Sequence, residues 1–392
     1  MRRMVACTNF LVGALLMTTY GVAYGEGFRL PYQGTAAAGQ AEAFIAQADD
    51  ASAMYYNPAG MTQLSGVQLY GGANFITGQF FYTSPEGNRF EGNLRQPVAM
   101  PPPGHLYLTG NLEDLGVTAL GPLIVGIGVN SPFGLGIQWP NDVPFSSVVT
   151  EATLPLLDVK PTVAYKIHDM LSIGAGADIY TFAGFIGEGQ AELHNNIPGV
   201  ASSEINGTDT TAGFNVSGLF TPLRNDIGKP LLNFGLVYRS AATLDLKGDF
   251  IVNGQKVSDA VTTIPLPWVI AGGFAAWPIR TESREWKIEV DAEGIGWSSF
   301  QNLDISLSNG TMISQPWNWN DTYTVSVGTE HKWLKLTSLP YWEFTARAGY
   351  QRSQTPMPDS TFTPAISDAN WNILAFGMGM RCKRGSHFWG LI

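Results

Sequence analysis

Three cations of this chain, Lys160, Arg239 and Arg347, fall on the polar faces of alternating apolar–polar segments. Each could donate charge-assisted hydrogen bonds to a carboxylate. Asp158, Asp178, Glu289, Asp291, Glu330 and Glu343 occupy polar faces of the same kind. These residues fit two chemistries: capture of an anionic ligand, or neutralisation of one another inside a closed structure. The acidic excess favours a neutral apolar ligand as much as a carboxylate. Bond-making chemistry is not signalled, since G-x-S-x-G, P-loop and H-E-x-x-H patterns are all absent. His105, His168, His194, His331 and His387 are scattered, and Cys382 is the one cysteine beyond the leader. That spacing indicates no metal set and no cofactor.

A second constellation is conformational. Asn130-Ser131-Pro132-Phe133-Gly134 sits inside an apolar run that ends in Gly136. Pro132 cannot donate a ladder hydrogen bond, and Pro or Gly inside a strand marks an edge, bulge or bend. The stretch is expected to be a kinked strand. The alternative is a strand that ends before Asn130 and passes into a loop.

The elements that must position these groups are strands. Charged residues make up 14% of the 392, aromatics 12%, and there are 45 glycines. Beyond the N-terminus no apolar run reaches the roughly 18 residues of a spanning helix. The net charge of −10 argues against nucleic acid. Residues 1–25 read as a secretory signal, with Arg2 and Arg3 before an apolar stretch and small residues at 23–25, so the mature chain should begin at Glu26. From residue 66 to 382, twelve strand-like segments alternate short and long connections, as outer-membrane barrels do. Leu171, Ile173, Ala175, Ala177 and Ile179 oppose Ser172, Gly174, Gly176 and Asp178, and Trp286, Ile288, Val290 and Ala292 oppose Lys287, Glu289, Asp291 and Glu293. A soluble sandwich would alternate too. The leader, the paired connection lengths and the aromatics near strand ends (Trp286, Trp319, Tyr323, Trp342, Tyr350, Trp371) favour a membrane. Residues 26–65 show no alternation, which predicts a compact plug ahead of the barrel. There Asp49 or Asp50 can cap a short helix, and Pro58 should stop it at Asn57.

Several runs resemble the FadL-type outer-membrane transporters, a family that includes the toluene-uptake channels. They are Gly27-Phe28, Ala46-Gln47-Ala48-Asp49-Asp50-Ala51-Ser52-Ala53, Asn57-Pro58-Ala59-Gly60, Pro161 to Lys166, Gly296-Trp297-Ser298-Ser299-Phe300 and Gly349-Tyr350-Gln351-Arg352-Ser353. The resemblance implies an all-β transmembrane antiparallel barrel, fourteen-stranded in the family, plugged by a partly helical hatch that includes Asp49, Asp50, Asn57, Pro58 and Ala59. It implies that Phe28 touches ligand and that a wall gap opens beside Asn130, Pro132, Phe133 and Gly134. It further implies passive carriage of fatty acids, aromatic hydrocarbons or detergent-like molecules by a monomer in outer-membrane lipid, inserted by the barrel-assembly machinery. The 188–210 and 241–263 loops, with Leu193, Ile197, Val200, Phe250, Ile251 and Val252, would form a greasy capture groove. One departure stands out. The strand pattern stops near Arg381, and the tail 383–392 is expected to form no hairpin, so the barrel either closes with twelve strands or is short of two. An open edge in lipid would leave backbone groups unsatisfied at several kcal/mol each. The alternatives are a structural or adhesive barrel and a barrel-borne lipid hydrolase.

Overall fold

The computed structural model describes residues 26–84, 86–94, 98–99, 103–184, 187, 189–197, 199, 202–366, 368–383 and 389–391. The leader at 1–25, Val200 and His387 lie outside that set. Twelve long strands form the wall: β1 Val67–Ala73, β2 Gly104–Asn111, β3 Leu123–Gln138, β4 Glu151–His168, β5 Leu171–Phe182, β6 Thr211–Arg224, β7 Pro230–Arg239, β8 Val269–Arg280, β9 Arg284–Ile295, β10 Thr322–Trp333, β11 Trp342–Ser353 and β12 Trp371–Cys382. Each pairs antiparallel with the next, so the wall is an uninterrupted meander.

Burial along the strands is reversed from that of a soluble sandwich. On β5 Leu171 and Ile173 are exposed while Ser172 and Asp178 are buried. Phe376 and Met378 of β12 are 70% and 78% exposed, whereas Lys160, Asp178 and Glu289 are fully buried. The apolar faces meet lipid and the polar faces meet the interior, so these strands belong to a membrane barrel.

Four long connections carry regular structure. They fold as hairpins: Gln79–Thr83 with Arg89–Asn93, Ala191–Asn195 with Ser203–Gly207, Ala242–Val252 with Gln255–Leu266, and Asn302–Leu307 with Met312–Pro316. The second hairpin pairs with the third and the third with the fourth, the second also pairs with the start of β4, and the first pairs with the end of β3 at Asn93↔Gln138, giving an outer rim above the wall. The first wall strand is correspondingly shorter than the sequence pattern suggests, because Gln79–Thr83 leaves the wall to join its hairpin.

The chain's end corrects another expectation. Trp389–Leu391 folds back on Met380–Cys382, so the tail does make a short hairpin. Six residues separate Cys382 from Trp389, enough to connect two paired strands, and Trp and Leu suit a strand. No ladder joins β1 to β12 among the described residues.

Residues 26–65 fill the bore. Ala36, Ala37, Phe44, Ala46, Met54, Ala59 and Met61 are all buried. The wall receives this plug on glycines. A Cβ at Gly174 would overlap the backbone of Pro58 and Ala59, and one at Gly349 would overlap the carbonyl of Gln40. The plug's main chain therefore lies directly on the strands.

Candidate functional site

Carboxylates of the wall hold the lower plug by its main chain. Asp291 Oδ2 accepts from Phe44 N at 2.7 Å and Ile45 N at 2.9 Å. Glu289 Oε1 accepts from Ala46 N at 2.7 Å and Gln47 N at 3.1 Å. Lys287 donates to Ala43 O, Gln47 Oε1 and Glu289 Oε2. Asn233 Nδ2 donates to Ala46 O. Side chains on β7 and β9 thus replace the ladder partners that a non-strand segment cannot find for itself.

The sequence-chosen hatch residues take distinct places. Asp50 Oδ1 accepts from Ser52 N and Oγ, just ahead of the helical turn Ala53–Tyr56. Asp49 pairs with Lys332 at 3.3 Å. The turn ends at Asn57, whose backbone is extended (φ −160°, ψ 95°) because Pro58 follows. Asn57 Oδ1 accepts from Ala59 N, capping the 3-10 turn Pro58–Gln63, and Asn57 Nδ2 reaches Ile45 O and Gly218 O. Ala59 N also donates to Ser217 Oγ on β6. Ala41 and Glu42 hold φ of 51° and 70°, a left-handed conformation that costs non-glycine residues about 1–2 kcal/mol each. Glu42 is fixed there by Tyr56, whose hydroxyl donates to Oε2 at 2.7 Å. Burial pushes the Glu42 carboxyl up to about 8 and that of Asp50 up to about 6.

The upper plug meets the kinked strand. β3 runs through to Gln138, with a bulge against β4 between Asn130 and Phe133. Its pairing with β2 ends at His105↔Asn130. Beyond that point the plug supplies the missing partner. Leu30 N donates to Pro132 O at 2.8 Å, and Gly134 N donates to Phe28 O at 2.9 Å. Arg29 stands opposite Phe133. Gln33 serves Ser131 as a peptide would: Nε2 donates to Ser131 O at 2.9 Å, and Oε1 accepts from Ser131 N at 3.2 Å. Oε1 also accepts from Asn130 Nδ2 at 3.1 Å. Phe28 and the kink, separate candidates in the sequence, are one assembly.

Phe28 sits in an aromatic cluster. Its ring centroid lies 4.8 Å from Trp297, 5.9 Å from Phe133 and Trp319, and 6.2 Å from Phe300. The indole N–H groups of Trp297, Trp317 and Trp319 are buried there with no acceptor among the described residues. A buried donor without a partner costs about 1–3 kcal/mol. Trp319, read from sequence as an interfacial aromatic, belongs to this interior cluster. Next to it Arg29 pairs with Glu26 at 3.0 Å and Glu293 at 3.1 Å, and Gly27 N donates to Asp368.

The three lumen cations are already paired. Lys160 binds Asp158 at 2.8 Å and also Asp178; Arg239 binds Asp178 at 3.3 Å and donates to Tyr55 O; Arg347 binds Glu330 at 2.7 Å. Each therefore faces a wall carboxylate, and Arg239 also reaches the plug at Tyr55. The groove expected between the outer loops is polar: a cavity of about 790 Å³ there is lined by Asn93, Gln138, Glu151, His194, Asn195 and Ser203, with Ile251 among its few apolar members. Leu193 and Phe250 pack instead on apolar clusters of the rim. Gln33 and Trp317 escaped the sequence reading, Glu289 and Asp291 were read as polar-face charges without their backbone partners, and Trp319 as a strand-end aromatic. Trp297 carried a signal, since it lies in the Gly296-Trp297-Ser298-Ser299-Phe300 run; the others act across long separations.

Comparison with known proteins follows this geometry. The family described as outer membrane protein transport protein (OMPP1/FadL/TodX) matches residues 14–387. A long-chain fatty acid transport protein of Salmonella typhi is 24% identical over 382 residues, covering 88% of this chain and 82% of its own. A FadL homologue of Pseudomonas aeruginosa superimposes with a TM-score of 0.70 at 18% identity, covering 92% of this chain and 88% of that one. The toluene transporter TbuX of Ralstonia pickettii gives 0.64 at 14% identity, covering 90% of each chain. These two likenesses carry the fold. The match over nearly the whole length, on a plugged barrel, makes the chain a member of the OMPP1/FadL/TodX family of Gram-negative outer-membrane transport proteins.

Proposed function

We propose that this barrel carries apolar small molecules, long-chain fatty acids or aromatic hydrocarbons, inward across the outer membrane without an energy source and without chemical change. It would do so as a monomer placed in the membrane by the barrel-assembly machinery. The observation that carries this reading is the docking of Phe28–Leu30 on the edge of β3 between its last pairing with β2, at Asn130, and its pairing with Asn93, at Gln138, beside the aromatic cluster. A ligand entering that cluster gains roughly 25 cal/mol per Å² of apolar surface removed from water. It also competes with Phe28 for the same rings. Once Phe28–Leu30 yields, the β3 edge is open beyond Asn130, and ligand can pass sideways between β2 and β3 into lipid. Hatch movement at Asn57-Pro58-Ala59 is not needed for this route.

The buried indole donors support a ligand with an acceptor atom, such as a carboxyl or carbonyl oxygen, over a bare hydrocarbon. Lys160 and Arg239, which share Asp178, and Arg347 on Glu330 serve the plug and its charge balance rather than a ligand. The test is uptake of labelled oleate and labelled toluene by cells with and without the gene, and with Pro132→Ala plus Gly134→Val. The double variant removes the residues that bend β3 away from β2, so it should slow uptake while the barrel still shows heat-modifiable migration. Normal uptake in a well-folded double variant would rule out the lateral route.

A further inference from the structure

We propose that Glu151, Glu192 and His194 form a site for a divalent transition-metal ion, with Zn²⁺ the best match, on the outer rim. Glu151 stands directly across the ladder from His194, where the Ala191–Gly207 hairpin joins β4. Glu192 precedes His194 by two residues, so the three side chains leave the same face. Their donor atoms all lie within 4.8 Å of one another, and His194 Nε2 is 3.2 Å from Glu192 Oε2.

Both carboxylates are oriented by amides. Gln138 Nε2 donates to Glu151 Oε2 at 3.2 Å, and Gln190 Nε2 donates to Glu192 Oε1 at 2.9 Å. Outer contacts of this kind fix metal ligands in place. Glu151 and His194 line the 790 Å³ cavity of the rim, which gives an ion an entry route and room for water ligands. One imidazole and two carboxylates match zinc, which takes nitrogen and oxygen donors from three side chains and leaves its fourth position to water. Calcium would ask for six to eight oxygens. The trio is invisible to sequence spacing because a cross-strand pair assembles it.

The ion would act as a staple. The hairpin joins β4 through only three residue pairs, Glu151↔His194, Ala152↔Leu193 and Thr153↔Glu192. A metal bonded to both strands would hold that seam closed at the mouth of the barrel. This inference stands apart from the transport reading.

The experiment uses the full chain in detergent, stripped with EDTA and titrated calorimetrically with ZnCl₂. One Zn²⁺ per chain is expected, with affinity lowered at least about tenfold in His194→Ala and in Glu151→Gln, but unchanged in His168→Ala. Heat-modifiable migration on a gel shows that each variant is folded. In parallel, Zn²⁺ should slow proteolysis within residues 184–202 of the wild type and not of His194→Ala. Failure of the wild type to bind Zn²⁺ saturably, equal binding by His194→Ala and Glu151→Gln, or uptake of Ca²⁺ in place of Zn²⁺ would each overturn the proposal.

Discussion

The two ends of the plug are held by different forces. Residues 43–47 hang from the wall by main-chain hydrogen bonds to buried ionic side chains, with Asp291 and Glu289 taking two amides each. Residues 28–33 rest on the β3 edge through two main-chain bonds and a glutamine side chain, and reach β9 and β2 through the Arg29–Glu293 pair and the Tyr107 hydroxyl on Gln33 O, with Phe28 packed among rings whose indole donors have no acceptor among the described residues. Displacing the lower end would leave wall carboxylates and plug amides buried without partners. Displacing the upper end costs the Arg29–Glu293 ion pair and two main-chain bonds, but an apolar ligand can replace the ring contacts it gives up. Under the proposed function, this contrast suits the lower plug to sealing and the upper plug to gating.

The largest effect should come from the seal. Glu289→Ala combined with Asp291→Ala leaves four amides unanswered, each worth about 1–3 kcal/mol, and strips Lys287 of its carboxylate, which adds about 3–5 kcal/mol. Planar-bilayer recordings should show open, plug-free conductance, and protease should reach residues 40–63. A closed, resistant barrel would place the seal elsewhere. Phe28→Ala should act next, and only above the plug. Oleate affinity should rise at least about tenfold, with conductance still closed, because the ligand no longer has to displace a buried Phe whose packing is worth about 3–5 kcal/mol. Unchanged affinity would remove Phe28 from the ligand's path. Gln33→Leu should have a smaller effect, loosening Ser131 and raising hydrogen exchange at residues 28–33 without opening the pore. Equal exchange there would deny the glutamine its bridging role.

The smallest effect is a pH dependence of the seal. The Glu42 carboxyl is raised by burial to about 8 from its ordinary 4.5, and Asp50 to about 6 from 3.8. A carboxyl whose pKa is raised in the docked state stabilises docking fully below its ordinary value, and loses that contribution as pH rises through the raised one. Plug protection against protease should therefore decline gradually from about pH 5 to about pH 8.5. Glu42→Gln should flatten most of that decline. A wild-type profile already flat over this range would mean that Glu42 finds solvent or a cation in the docked plug.

Much of the fold is written in period-two alternation. Leu171 to Ile179 and Trp286 to Glu293 declare strands whichever solvent they face, so twelve wall strands were legible. Alternation alone has no sign, so the inward turn of the polar face rested on the leader, the paired connection lengths and the strand-end aromatics; the exposure of Phe376 and Met378 shows it. The long connections hid their hairpins because their apolar residues pack on neighbouring hairpins rather than on a regular face. Pro132 and Gly134 announced the bulge, being residues that a ladder tolerates poorly. Gln33 announced nothing, because a glutamine that mimics a peptide reads as any polar residue. Asp291 and Glu289 were recognised as interior charges, but their partners are backbone amides, which no sequence pattern marks.

The account turns on whether Phe28–Leu30 must leave the β3 edge for ligand to pass. Arg29 and Phe133 are opposed there as a pair without mutual backbone hydrogen bonds, flanked by the Leu30–Pro132 and Gly134–Phe28 bonds. Such pairs hold their Cα atoms about 4.5 Å apart, a spacing that a disulfide can bridge. With Cys382 first replaced by serine, Arg29→Cys and Phe133→Cys can be oxidised in intact cells. Uptake of labelled oleate should stop in the oxidised state and return on reduction of the same protein. Equal uptake in both states would contradict the gate.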